Sequence, residues 1–99
     1  MLKFVVVLYK KPDMSESEFH NFLRQVHGPM ALKIPGLRKY FQNHVASDPR
    51  RNHPGWSAIV ELYFDDWTSM EAAWATPEGQ AATADVGQFA DLSRTAGRW

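Results

Sequence analysis

The chain has 99 residues, and 11 Lys and Arg residues balance 11 Asp and Glu residues, which gives a formal net charge of zero at pH 7. This balance offers no field that would attract a polyanion, so it argues against binding to nucleic acid or to an anionic membrane. The absence of cysteine excludes disulfides and thiolate-ligated metal centres. The length predicts a single domain over residues 1–99 with a small core, and hence a homo-oligomer.

The longest apolar run, residues 4–9, is too short to cross a bilayer. It follows Lys3 and lacks the small-residue cleavage pattern of a signal peptide. We therefore expect a cytoplasmic protein that does not engage a membrane.

The first predicted elements are a strand and a helix. Residues 2–9 are dense in Val and Phe, which is typical of a central strand covered on both faces. Ser15 and Glu18 form a capping box that begins the helix. Its buried stripe is predicted to be Phe19, Phe22, Leu23, Val26 and Met30. Because Gly28-Pro29 follows, we expect the helix to end or kink near residue 27 and to resume, at most, as far as residue 34.

Two strands are predicted on either side of a polar loop. The turn pair Pro35-Gly36 precedes residues 37–45, whose side chains alternate between two faces. Residues 56–64 alternate again, with Glu61 as their only charge. Between them, the turn-rich residues 46–55 predict a long exposed loop.

The last third of the sequence predicts two short helices and a short closing strand. A second capping box, at Thr68 and Glu71, begins the first helix. Thr76-Pro77 begins the second, although two glycines weaken that prediction. Residues 92–99 supply the strand. The inward positions of the two helices are predicted to be Met70, Ala73, Trp74, Ala82, Val86 and Phe89.

The predicted order is therefore strand, helix, strand, strand, helix, strand. This βαββαβ order is typical of the ferredoxin-like α+β fold, an antiparallel four-stranded sheet with helices on one face. The other face then needs a cover, which a second sheet packed against it would supply. Chain length and element order thus lead separately to a homodimer.

One stripe of the first helix carries polar side chains that could take part in chemistry. At 100° per residue, His20 and His27 lie within about 20° of one line, with Arg24 about 40° away. His20 and Arg24 are either a solvated flank of the helix or part of a cleft. His27 is either an imidazolium stabilised by carbonyls at the helix end, or a catalytic acid/base that titrates near neutral pH.

The second strand carries another polar set. Tyr40 and His44 share a face with Arg38 and Gln42. That face either meets water or a second subunit, or it lines a site where Tyr40 polarises a carbonyl group or moves a proton.

Other kinds of site find little support in the sequence. Glu16 and His20 have the spacing of two metal ligands, but no metal-binding motif completes them, and we expect no metal or other cofactor. Motifs for nucleotide binding and serine hydrolysis are absent. The chain has four Trp, three Tyr and six Phe residues, which suit a pocket for a small apolar or aromatic molecule. Most of them are expected in the core, Trp74 and Phe89 above all.

Several short motifs in the first half of the chain together resemble the EthD family. They are Tyr9-Lys10-Lys11-Pro12, Met14-Ser15 before Glu18-Phe19-His20, His27-Gly28-Pro29 and Pro35-Gly36-Leu37-Arg38-Lys39-Tyr40. The resemblance implies a ferredoxin-like monomer that pairs into a dimeric α/β barrel. That superfamily includes muconolactone isomerases, polyketide cyclases, cofactor-free monooxygenases and haem-degrading enzymes. The similar methylmuconolactone methylisomerases have a His matching His27 and a Tyr matching Tyr40.

Two functions of different class follow from the residues and the resemblance. The first is an EthD-like protein of aromatic, lactone or ether catabolism, working as a cofactor-independent isomerase, cyclase or monooxygenase-type enzyme. His27 would be its acid/base and Tyr40 its carbonyl-polarising partner. The residues expected to bind the substrate are His44, Arg24 and His20. The second function is a non-catalytic accessory or ligand-binding protein that supports an oxidative pathway, and haem binding through a His is a third possibility from the superfamily alone.

Overall fold

The computed structural model describes residues 1–45, 50 and 55–98. Its elements are β1 (Leu2–Leu8), α1 (Glu16–Phe22), a π-helical segment (Leu23–His27), α2 (Gly28–Ala31), β2 (Lys39–His44), β3 (Ala58–Phe64), α3 (Trp67–Ala75), α4 (Pro77–Asp85), a 3-10 turn (Val86–Gln88) and β4 (Ala96–Arg98). Most of the predicted loop 46–55, and residue 99, lie outside the described residues. None of the described helices is long and apolar enough to span a membrane.

The four strands form one antiparallel sheet in the order β2-β3-β1-β4. This order confirms the predicted ferredoxin-like fold and the central place of β1. The four helix-facing residues of β3, which are Ala58, Val60, Leu62 and Phe64, are all buried. They pack against Phe19, Leu23, Met70 and Phe89 to form the core.

The opposite face of the sheet is only partly covered. Phe41 is 50% exposed there, and Val5, Val7 and Ile59 alternate onto the same face and are partly exposed. Within the described part of one chain, the prediction that β1 is covered on both faces therefore holds for the helix side alone.

The first helical stretch differs from its prediction. The capping box is confirmed, since Ser15 Oγ accepts from the Glu18 N–H at 3.0 Å and Glu18 Oε1 accepts from the Ser15 N–H at 2.9 Å. Of the two alternatives for its end, the structure shows the second, because the helix does not end near residue 27 but changes to a π segment and resumes as far as Ala31. The wider π turn comes immediately before Gly28-Pro29, and the ring of Pro29 would clash with a carbonyl of the preceding turn in a regular α-helix.

The π segment also shifts the buried stripe by one residue. A π turn places one extra residue in the helix, which rotates every later side chain by about 100°. Val26, predicted to be buried, is therefore 42% exposed, and His27 is 7% exposed in its place. Further along, Ala31 is buried and Met30 is only partly so.

The capping residue of α3 also differs from the prediction. Asp66 caps it, with Oδ1 accepting from the Ser69 N–H at 2.8 Å, and Thr68 lies inside the helix. Thr76 caps α4 as predicted, with Oγ1 accepting from the Gly79 N–H at 3.0 Å.

Gly79 lowers the helix propensity of α4, but it allows α3 and α4 to approach each other closely. A Cβ at this position would overlap the carbonyl oxygen of Ala73 and lie 3.0 Å from Trp74 Cα. Because backbone atoms cannot move aside as a side chain can, the contact between α3 and α4 requires glycine here.

We expect Gly79→Ala to lower the free energy of unfolding by about 1–3 kcal/mol, because the added methyl group forces the two helices apart. Urea denaturation at neutral pH measures this change. The matched control is Gly87→Ala, where an added Cβ meets a flexible side-chain atom of Leu92 at 3.3 Å. Equal stability of the two variants would contradict the steric role of Gly79.

Candidate functional site

A cavity of about 640 Å³ lies between the sheet and the helices. Its apolar wall consists of Phe4, Val6, Leu8, Ala31, Ile34, Val60, Leu62, Trp74, Ala82, Ala84, Val86 and Leu92. Its polar lining residues are His27, Tyr40, Gln80 and Thr83. A largely apolar cavity with a few polar groups is the usual form of a small-molecule site.

The two aromatic residues assigned to the core have different positions. Phe89 is fully buried. Trp74 is partly buried and lines the cavity, with its ring 5.4 Å from that of Phe4 and 5.5 Å from that of Phe64. Trp74 therefore belongs to the cavity wall as well as to the packing around the core.

His27 is held in the cavity wall by Asp85, the last residue of α4. His27 Nδ1 lies 2.9 Å from Asp85 Oδ2, and the imidazole ring packs 5.0 Å from that of Phe89. An ionised carboxylate can only accept, so Nδ1 carries the hydrogen, and Nε2 is left for proton transfer. The predicted position of His27 at a helix end is wrong, because the helix continues beyond it as α2.

Tyr40 approaches the same cavity from β2. Its Oη accepts a hydrogen bond of 3.0 Å from Gln42 Nε2. Burial raises the pKa of Tyr40, and the bond from Gln42 opposes that rise. The phenol is therefore protonated at neutral pH and can donate to an oxygen atom of a ligand.

Behind Tyr40, further polar side chains form a hydrogen-bonded chain that leads to the surface. Gln42 Nε2 also donates to the Leu23 carbonyl at 2.8 Å, and Gln42 Oε1 lies 2.8 Å from His44 Nε2. His44 Nδ1 contacts His20 Nδ1. His20 Nε2 is in turn 3.4 Å from the carboxylate of Glu16.

His44 is neutral at physiological pH. Burial, together with the nearby positive charge of Arg24 and His20, lowers its pKa to about 4. Its Nε2–H donates to Gln42, and the lone pair on Nδ1 accepts from His20.

The predicted site residues thus fall into two groups. His27 and Tyr40 line the cavity. His20, Arg24 and His44 do not belong to the described cavity wall, and Arg24 is exposed. Their contact with a substrate stays a prediction.

Sequence analysis missed Asp85 and assigned no separate role to Gln42. The sequence did contain a signal for Asp85. It lies three residues after Ala82 and four before Phe89, which places it on the inward face of the helix, and a carboxylate buried there needs a hydrogen-bond partner.

A metal ion requires His, Asp or Glu side chains that are grouped around one point. No group of three His, Asp or Glu residues suited to a metal occurs among the residues that the structure describes. Glu16 and His20, which have metal-ligand spacing, contact each other instead.

Comparisons with known sequences give one family and two relatives that match most of the chain. A sequence model described as the EthD domain matches residues 11–93. An uncharacterized 11.0 kDa protein from the thcB-thcC intergenic region of Rhodococcus erythropolis is 31% identical over 86 residues, covering 87% of this chain and 82% of that protein. Dehydratase CTB10 of Cercospora beticola is 27% identical over 113 residues, covering 98% of this chain and 86% of that one.

Solved structures confirm the fold. An EthD family protein from Bacillus halodurans superposes with a TM-score of 0.82 at 28% identity, over 99% of this chain and 95% of that one. A dimeric protein of unknown function with a ferredoxin-like fold, from Bacteroides fragilis, gives a TM-score of 0.69 at 17% identity, over 97% and 90%. At that identity the second likeness shows the fold alone.

The low pKa of His44 predicts a contribution to acid destabilisation. As the pH falls from about 6.5 to about 4, His44 binds a proton in the unfolded chain but not in the folded protein, so folding stability is lost over this range. We expect His44→Gln to lose less stability than the wild type over that range in urea titrations. Lys39→Gln, on the other face of β2, should keep the wild-type pH dependence. Equal pH dependence of the His44→Gln variant and the wild type would contradict the assignment.

Proposed function

Since the chain belongs to the EthD family, we propose that it is a cofactor-independent enzyme of small-molecule catabolism, which moves protons on an apolar substrate bearing a carbonyl group. The observation that carries this proposal is that His27, held by Asp85, and Tyr40 line one apolar cavity. Aromatic ketones and unsaturated lactones are substrate classes that combine a carbonyl oxygen with the flat apolar surface that these walls suit.

The first step of the proposed reaction is removal of a proton next to the carbonyl group. His27 Nε2 takes the proton, the electron pair of the broken C–H bond moves towards the carbonyl oxygen, and Tyr40 donates a hydrogen bond to the negative charge that develops there. Asp85 stabilises the imidazolium that forms, because its carboxylate accepts from Nδ1–H.

The second step decides the reaction type. Return of the proton from His27 to a different carbon atom completes an isomerisation, and its transfer to a departing hydroxyl group completes the loss of water. The relative named a dehydratase supports this class of chemistry, since elimination of water can start from the same proton abstraction.

The apolar wall strengthens each of these interactions. Cavity-lining Val, Leu, Ile and Phe side chains offer no competing hydrogen bonds and lower the local dielectric constant. A donor such as Tyr40 therefore stabilises a developing oxyanion more strongly here than it would in water.

We also infer that two chains pair through the open face of the sheet to form a dimeric α/β barrel. Phe41, Val5, Val7 and Ile59 form a partly exposed apolar patch there. Glu61 lies between Phe41 and Val5 on this face, where it forms an ion pair of 3.3 Å with Lys3. A surface that combines exposed apolar side chains with a few polar ones is typical of a protein interface. The dimeric relative in fold from Bacteroides fragilis supports this pairing.

We expect His27→Asn to slow proton abstraction by about 10²- to 10⁴-fold, because it removes the only proposed base. The measurement is deuterium uptake next to the carbonyl group of aryl ketones and unsaturated lactones in D₂O, followed by proton NMR. Asp85→Asn should also slow the exchange, since the imidazole loses its orienting partner. Lys33→Gln, at an exposed position outside the cavity wall, is the control that keeps the wild-type rate.

Two outcomes would contradict the proposed enzyme. Wild-type exchange in His27→Asn would remove His27 from the mechanism. Tight binding of these compounds without any exchange would favour the non-catalytic accessory protein instead.

We expect Phe41→Glu to convert the dimer to a monomer, because a new charge on this face, next to the Glu61 carboxylate, must be desolvated on pairing. Sedimentation equilibrium should give about twice the chain mass of 11.3 kDa for the wild type and the chain mass for the variant. Leu32→Glu is the matched control, since Leu32 is 65% exposed but lies on the helix side. A dimeric Phe41→Glu variant would place the interface elsewhere.

A further inference from the structure

Gln42 contacts both the π segment and Tyr40, and the proposed reaction gives it no role. We propose that Gln42 is a positioning residue that makes Tyr40 a hydrogen-bond donor towards the cavity, and that the π segment holds the Gln42 amide in the orientation required. The inference deepens the proposed function and rests on it for the carbonyl oxygen that Tyr40 would meet.

The orientation of the Gln42 amide follows from its partners. The Leu23 carbonyl can only accept, so the Gln42 atom 2.8 Å from it is the NH₂ nitrogen. The same NH₂ group points its second hydrogen at Tyr40 Oη, 3.0 Å away. Tyr40 Oη is therefore the acceptor in this bond, and its own hydrogen points elsewhere.

His44 secures the other end of the amide. Gln42 Oε1 can only accept, and it lies 2.8 Å from His44 Nε2, which must then carry a hydrogen. A flipped amide would set its oxygen against the Leu23 carbonyl oxygen, and this contact would be repulsive. The Leu23 carbonyl therefore selects the orientation of the amide, and the neutral His44 ring adopts the tautomer that matches it.

The π segment supplies the first anchor. Its widened turn directs the Gly28 N–H to the Leu23 carbonyl, five residues back, and the second lone pair of that carbonyl accepts from Gln42. Gly28 also supplies the space, because a Cβ there would lie 2.9 Å from Gln42 Nε2 and 3.2 Å from the Leu23 oxygen. The glycine that predicted a helix end thus makes room for the amide.

The arrangement restricts what the cavity can accept beside Tyr40. With one lone pair of Oη engaged by Gln42, the phenol presents its O–H to the cavity. The complementary ligand atom is an acceptor, such as a carbonyl or carboxylate oxygen. The hydrogen-bonded pair of Tyr40 and Gln42 faces charged and titratable groups on two sides. Those on its outer side are Glu16, His20, Arg24 and His44, and those across the cavity are His27 and Asp85.

The test is the pH titration of Tyr40 in ligand-free protein, followed by NMR with ¹³Cζ-labelled tyrosine. The chain has three tyrosines, and Tyr40→Phe identifies the Tyr40 resonance by its loss. Gln42→Leu removes a hydrogen bond that favours the phenolate, so we expect the Tyr40 pKa to rise by about one pH unit. Gly28→Ala, which pushes the amide aside, should shift it in the same direction.

The matched control is Asn43→Leu. Asn43 is an amide on the same strand but on the opposite face, where it donates to the Ile59 carbonyl at 3.1 Å and to Glu61 at 2.9 Å. This variant should leave the Tyr40 titration at its wild-type position. Unchanged resonances of Tyr9 and Tyr63 verify folding, and if Gln42→Leu does not fold, Gly28→Ala provides the test.

An unchanged Tyr40 pKa in folded Gln42→Leu or Gly28→Ala protein would overturn the role of Gln42. This titration needs no substrate and no turnover. Its result is therefore independent of the deuterium-exchange experiment, which tests the proposed reaction itself.

Discussion

One extra residue in the turn from Leu23 to His27 determines how the candidate site is assembled. The π turn rotates the helix beyond it by about 100°, which moves His27 from the border of the buried stripe into it. The same turn presents the Leu23 carbonyl to Gln42. A regular α-helix would place Val26 in the core and His27 at the helix edge, away from Asp85. π turns recur at functional sites in proteins, and here one turn positions His27 directly and contacts Tyr40 through Gln42.

The polar groups around the cavity act in an apolar setting, where an unpartnered donor or acceptor is costly. Each described buried side-chain nitrogen or oxygen has a partner. Because those partners are mostly groups of fixed polarity, a carboxylate at His27 and a backbone carbonyl at Gln42, the direction of each hydrogen bond is determined. The cavity thereby gains an imidazole nitrogen able to take a proton and a phenol able to donate one hydrogen bond, which is the pair that the proposed reaction needs.

Much of the fold could be predicted because its signals are local. The capping box of Ser15 and Glu18, the Thr76-Pro77 helix start and the alternation of β2 and β3 depend on residues a few positions apart, and the ferredoxin-like order follows from them. The errors are local too. Asp66 displaced Thr68 as the cap of α3, since both have suitable side chains and the choice depends on where the chain leaves β3. The pair Gly28-Pro29 is typical of a helix end, but here it follows a change from α- to π-helix. Predictions from the spacing of residues in a regular helix assume one helix type and therefore miss this change.

By itself, the sequence identified His27 and Tyr40 as candidate site residues and determined the two alternating faces of the strands, because residue chemistry and strand alternation are properties of neighbouring positions. Only the tertiary structure decided what these residues contact. Asp85 is 58 positions from His27, and Gln42 is 19 positions from Leu23. These partners meet only once α4 and β2 pack against the first helical stretch. A single π turn determines which side chains of that stretch face the core. The hydrogen bond that the turn accepts from Gln42 comes from β2, a different element of the fold.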